Sequence, residues 1–150
     1  MSGRLSLLAA IWLTAGTLPA EQGRFEKTIP FPRSGEARLD WSYERCTIRG
    51  VQVRNYPKVE DVDKARRKDP DDHSWLWWEF HLDNRGTREC NVRLRVEVLD
   101  KSGRVLKESD RSGSVDPGKI DDDIRVSTRM RTLDAAEAPR VRVRAEILPK

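Results

Sequence analysis

Trp75, Trp77, Glu79 and His81 are the residues whose types and spacing most invite chemistry. They occupy alternate positions of the stretch WLWWEFHL at residues 75–82. Successive side chains of a β-strand point to opposite sides, so the four share one face while Leu76, Trp78, Phe80 and Leu82 form a dry row on the other. Two tryptophans on one strand face can stack on sugar rings or anchor a protein partner. A carboxylate and an imidazole beside them add hydrogen-bonding capacity. Large aromatics are mostly buried, however. The alternative, that a second sheet or the charged segment 57–74 covers the pair, stays open at this level.

Other reactive residues point less sharply. The sequence has no GxSxG elbow, P-loop, GxGxxG or HExxH, so no catalytic residue is assigned. A lone His81 on a strand is far more often structural than catalytic. Asp121, Asp122 and Asp123 with Asp116 offer hard oxygen ligands. In an extended chain only alternate carboxylates converge, and the spacing is not that of an EF-hand. They read as a solvated edge that resists aggregation, as do Asp69, Asp71 and Asp72 beside His73. No metal and no cofactor is expected.

Cys46 and Cys90 are the only cysteines. In an oxidising compartment they would form a disulfide, closing a loop of about 45 residues with roughly 4 kcal/mol of chain-entropy stabilisation. A zinc site completed by His73 and His81 lacks both the CxxC and the HxxxH spacing. The N-terminus favours that compartment: Arg4, the apolar run Leu5–Leu13 and the small residue closing Leu18-Pro19-Ala20 read as a signal peptide over residues 1–20. The apolar run is too short to span a bilayer comfortably and no second one follows. The mature chain, residues 21–150, is therefore expected to be periplasmic or secreted, with no membrane span.

The elements that would hold these residues are strands. Val92, Leu94, Val96 and Val98 alternate with Asn91, Arg93, Arg95 and Glu97. Asp100-Lys101-Ser102-Gly103 then supplies turn chemistry before Val105 starts a return strand, which together spell a hairpin. Further alternation occurs at 23–32, at 37–43, at 46–56, at 124–130 and at 139–148. Gly50 marks a change of parity, the signature of a β-bulge. Residues 57–74 are almost all charged and read as a long exposed loop with at most a helical turn at 59–67. Ser109–Lys119 reads as polar chain with a turn at Asp116-Pro117-Gly118, and 131–138 as a polar or weakly helical connector.

One domain fits 150 residues. Short strands without a long helix-period segment predict an all-β, antiparallel sandwich of seven to eight strands. The 29 basic and 25 acidic residues alternate rather than cluster, which argues against a nucleic-acid partner. If the strands carrying Arg93/Arg95 and Arg140/Arg142/Arg144 are neighbours, Glu97 and Glu146 can pair across them.

Leu82-Asp83-Asn84 with Gly86, then Val96 to Gly103, then Asp116-Pro117-Gly118-Lys119 resemble, in that order, the FxLYD-type and related immunoglobulin-like domains of exported bacterial proteins. The resemblance covers residues 75–148, with Val96 standing for Phe and Leu99 for Tyr. It implies a β-sandwich that works as a binding or accessory module and brings no catalytic residues. The expected function is recognition of an envelope protein or a glycan, through Trp75, Trp77 and the 57–74 segment. A carbohydrate-handling accessory enzyme using Glu79, and a purely structural envelope subunit, are the alternatives.

Overall fold

Alternating side chains dictate the strands, and the computed structural model, which describes residues 23–149, builds the fold from eight of them. In chain order they are β1 (Arg24–Pro30), β2 (Glu36–Tyr43), β3 (Cys46–Arg54), β4 (His73–Asn84), β5 (Cys90–Leu99), β6 (Val105–Val115), β7 (Asp122–Arg131) and β8 (Arg140–Pro149). Two helices join them, α1 (Val59–Arg67) and α2 (Thr132–Glu137). All strand pairs are antiparallel, in two sheets of order β1-β8-β5-β6 and β2-β3-β4-β7. The all-β sandwich is therefore present. The expected signal peptide lies outside the described residues.

The apolar rows meet between the sheets. Val92, Leu94, Val96 and Val98 of β5 and Val141, Val143 and Ile147 of β8 face Leu76, Trp78, Phe80 and Leu82 of β4, all of them buried. Phe31 closes one end of this core, its ring 5.4 Å from that of Trp78 and 5.6 Å from that of Tyr56. Towards the other end, Cys46 of β3 and Cys90 of β5 are disulfide-bonded, with Cα atoms 6.5 Å apart. The bond ties one sheet to the other.

Gly50 stands at a register shift in the β3–β4 pairing. The extra residue is Arg49, whose guanidinium turns to Asp83 at 3.4 Å and to Asp121. A Cβ at Gly50 would lie 2.6 Å from the carbonyl of Ala37 on β2, so the bulge admits no side chain there without moving the neighbouring strand.

The β5–β6 turn follows its residue types closely. The Asp100 carboxylate accepts hydrogen bonds from the backbone N–H groups of Ser102 and Arg104, both at 2.9 Å, and from the Ser102 hydroxyl at 2.7 Å, while Gly103 takes a φ of 85°. The Ser102 hydroxyl first, and then the Arg104 amide, hold the carboxyl below its ordinary value. The folded value lies below the unfolded one, so this contribution is complete above the unfolded carboxylate value of about 3.9 and fades as pH falls through the lowered value. An acid titration followed by NMR should show the Ser102 and Arg104 amides shifting with a midpoint below that of a free aspartate. An ordinary midpoint would remove the carboxylate from this role.

Three expectations need correction. The 57–74 segment is not an open loop with a single turn: residues 59–67 form all of α1. The Asp61 carboxylate accepts from the Lys58 N–H at 3.2 Å, and acidic residues in the first turn and basic ones in the last suit the helix dipole. Strand β4 begins at His73, two residues before Trp75. Strand β6 runs unbroken from Val105 to Val115, through residues read as polar chain. At 131–138, α2 gives the connector a defined short helix.

The arginine rows lie on the outer face of the β1-β8-β5-β6 sheet. Glu97 is opposite Arg142, and Arg93 is opposite Glu146. Glu97 is 3% exposed, and its carboxylate lies 2.8 Å from Arg142, 3.1 Å from Arg144 and 3.3 Å from Arg95. Glu146 meets Arg24 at 3.5 Å and Arg93 at 4.0 Å. The cross-strand pairing expected for both glutamates is present.

Candidate functional site

The outward row of β4 is set by its two partners. Strands β3 and β7 flank β4, and the register places Trp75 opposite Arg129, and Trp77 between Arg54 and Ser127. Glu79 stands between Gln52 and Arg125, and His81 between Gly50 and Asp123. The inward row of β4 is filled by the core, which leaves Trp75 and Trp77 pointing away from it.

Among the described residues, no segment of chain folds over them. Trp75 is 51% exposed and Trp77 36%. The segment that might have folded across is anchored elsewhere. Asp72 accepts from the Thr132 hydroxyl at 2.7 Å, and its carbonyl accepts from the Thr132 N–H at 2.8 Å. The Pro70 carbonyl accepts from Arg131 at 3.1 Å, and Arg66 lies 3.9 Å from Glu137. These bonds hold α1 and the residues after it against α2, at the edge of the tryptophan face. The backbone of Trp75 is fixed from the other side, where the Asn55 side chain donates to its carbonyl at 2.9 Å.

The four residues do not act alike. Trp75 and Trp77 are presented to solvent, whereas Glu79 is buried between flanking strands. Its two oxygens lie 3.5 Å from the Arg54 guanidinium and 3.7 Å from His81 Nε2. His81 Nε2 is itself buried and makes no hydrogen bond among the described residues. Glu79 therefore orients Arg54 beside Trp77, and it lies below the surface that a partner would touch. The 57–74 segment borders this surface at His73 without forming part of its centre.

Sequence reasoning missed the arginines of β7. Arg125, Ser127 and Arg129 alternate with Ile124, Val126, Thr128 and Met130, so their outward direction was readable. Their place beside the tryptophans depends on β4 pairing with β7 across an intervening hairpin, which no local pattern encodes. The Arg125 guanidinium carbon lies 4.5 Å from the centroid of the Trp77 ring, a cation–π contact. Among the described residues, neither Arg125 nor Arg129 has an ion-pair partner.

The opposite sheet offers a contrast. Its outer face carries a cleft of about 540 Å³ whose rim includes Arg24, Arg93, Arg95 and Arg144. There the guanidinium groups are met by carboxylates: Arg144 by Glu26 at 2.6 Å, and Arg95 by Glu97 and Glu108. Hydrogen bonding to Glu26 raises Arg144 further above the ordinary guanidinium value. That face is closed on itself electrostatically, whereas the β4–β7 face keeps unspent cations next to exposed indoles.

Among the described residues, no three His, Cys, Asp or Glu side chains converge as a metal site, and no helix is long and apolar enough to cross a membrane. Asp121, one of the carboxylates considered as an oxygen ligand, is ion-paired with Arg49, and its N–H donates to Asp83 at 2.7 Å. A scan against protein-family models and a search of curated proteins find no match for this chain.

Proposed function

We propose that the protein is an exported, non-catalytic binding module of the bacterial cell envelope, periplasmic or secreted, that recognises a protein or glycan through the outer face of the β2-β3-β4-β7 sheet. The observation that carries this reading is the exposure of Trp75 and Trp77 on a rigid central strand. The exposed parts of the two indoles forgo burial free energy in the free protein, roughly 25 cal/mol per Å² of apolar surface, which a partner would recover. Strand β4 is paired on both sides, so the platform is pre-organised and little ordering opposes association. The Cys46–Cys90 disulfide suits an oxidising compartment. The proposed leader at 1–20 supplies the route there, and the immunoglobulin-like resemblance of residues 75–148 suits an accessory module. Engagement of Glu79 by Arg54 favours binding over hydrolysis.

The test is retention of envelope components on the oxidised protein, compared with a Trp75→Ala/Trp77→Ala variant whose thermal unfolding matches the parent. A component retained by the parent and lost by the variant is expected. Equal retention by both proteins would move recognition off this face.

A further inference from the structure

We infer that the ligand of this face is a linear anionic glycan, its sugar rings stacked on Trp75 and Trp77 and its carboxylate or sulfate groups held by Arg125 and Arg129. The inference rests on the reading of the face as a recognition surface and names what it recognises.

Spacing comes first. Trp75 and Trp77 are two residues apart on one side of β4, so their Cα atoms lie about 6.8 Å apart along the strand. They form consecutive platforms rather than one cluster. The nearest outward neighbours on β3 and β7 are Arg54, Gln52, Ser127, Arg125 and Arg129, none of them apolar. A protein partner of ordinary size would cover about 800 Å² on each side, with an apolar centre. Two isolated indoles in a field of guanidinium, amide and hydroxyl groups do not make such a centre. A pyranose matches them better, since its C–H face stacks on an indole while its equatorial oxygens reach the donors around the ring.

Charge narrows the class. Arg129 stands opposite Trp75, and Arg125 lies over Trp77; among the described residues neither is ion-paired, although Glu79 stands across from Arg125. The acid on this part of β7 is Asp123, which stands across from His81 at the far end of the row. Glu79 is already held by Arg54. The planar fork of a guanidinium suits carboxylate and sulfate groups, and stacking on Trp77 fixes the orientation of the Arg125 fork. The two arginines are four residues apart, about 13–14 Å along β7, and so bracket the tryptophan pair. Small ligands take concave sites; a sheet face suits an extended chain lying along β4.

The experiment is native affinity electrophoresis of the oxidised protein through gels containing polygalacturonate, dextran sulfate, unsubstituted dextran or poly-glutamate. Four proteins are compared: the parent, Trp75→Ala/Trp77→Ala, Arg125→Gln/Arg129→Gln, and Arg24→Gln/Arg93→Gln, which removes the same charge from the outer face of the other sheet. Thermal unfolding confirms that each is folded, and Trp75→Phe provides a milder aromatic variant.

The parent should be retarded by an anionic polysaccharide. Its dissociation constant should rise by roughly 30-fold in the tryptophan double variant and by about tenfold or more in the β7 arginine double variant. The charge-matched control should bind as the parent does. Preference for polygalacturonate assigns the anion as carboxylate, and preference for dextran sulfate assigns it as sulfate. Equal loss in both arginine double variants would mean unspecific charge attraction and overturn the inference. Tryptophan-dependent binding of dextran, or of poly-glutamate in preference to the polysaccharides, would also overturn it while leaving the face a recognition surface. No retardation by either anionic polysaccharide would overturn the ligand class, with the retention experiment above still deciding whether the face binds at all.

Discussion

Replacing Glu97 with alanine should lower the unfolding free energy by about 1.5–3 kcal/mol, the range for losing charge-assisted hydrogen bonds to a buried acceptor. The carboxylate is 3% exposed and lies within 3.3 Å of guanidinium groups from Arg95, Arg142 and Arg144. Arg142 donates to its Oε2 from Nε at 2.9 Å, and Nη2 lies 2.8 Å from the same oxygen, so the hydrogen bond is charge-assisted. Removing it leaves three cations facing one another across β5 and β8, with Glu26 and Glu108 still paired to them. A glutamine keeps the acceptor and the shape, so Glu97→Gln should recover part of the loss. Urea unfolding of the parent and both variants checks this, together with an Arg142→Ala cycle in which the two single losses fail to add. A loss below about 1 kcal/mol for Glu97→Ala would place the cluster with ordinary solvent-screened surface pairs.

Reducing the Cys46–Cys90 bond should cost roughly 4 kcal/mol, since it closes a loop with a sequence separation of 44. For a domain of this size that corresponds to a fall in Tm of roughly 15 °C. Both cysteines are buried, so Cys46→Ala/Cys90→Ala removes little else and should unfold with the reduced parent. Thermal unfolding with and without a phosphine reductant makes the comparison. Coincidence of the reduced parent and the double variant is expected, both well below the oxidised protein; a shift of only about a degree would show that the sheets hold together without the bond. Because net stabilities of domains are about 5–15 kcal/mol, the reduced protein keeps only a fraction of its margin.

Strands whose two faces differ were legible before any coordinates. β4, β5, β7 and β8 each alternate because one face meets the core and the other meets water, and the Gly50 bulge showed as a change of parity. β6 was cut short for the opposite reason. As an edge strand it meets β7 through polar groups: Thr128 Oγ1 donates to Ser109 Oγ at 2.8 Å, and Arg111 donates to the Arg125 carbonyl at 3.0 Å. Its inward row is therefore Lys107, Ser109, Arg111 and Gly113, which carries no apolar signal. Gly113 is small because Ile124 of β7 occupies the space a side chain would need. Helix α1 was hidden by charge: only Val62 and Ala65 are buried from its nine residues.

The candidate site was half legible. Shared parity grouped Trp75, Trp77, Glu79 and His81 correctly on one face. Whether anything lay over the tryptophans, and which of the four remained accessible, depended on where the 57–74 segment was tied down. Those ties run through Asp72, Pro70 and Thr132, whose partners are some sixty positions apart in sequence. The neighbouring arginines depended likewise on the pairing of β4 with β7. Local patterns give the direction of a side chain, whereas strand order decides its company.

Strand β1 lies antiparallel beside β8, with Arg24 opposite Glu146. The start of one strand and the end of the other thus sit side by side. Antiparallel ladder bonds run across the strands, so a load drawn between these two points would meet them one pair at a time. The domain should open under tension like a zipper, β1 peeling from β8 in sequence, rather than resisting as a sheared sheet does. The disulfide between β3 and β5 lies outside that first tear and would stay unloaded until β8 had also left β5. Tension applied between residues 24 and 149 would then lengthen the domain while its tryptophan face, in the other sheet, stayed intact.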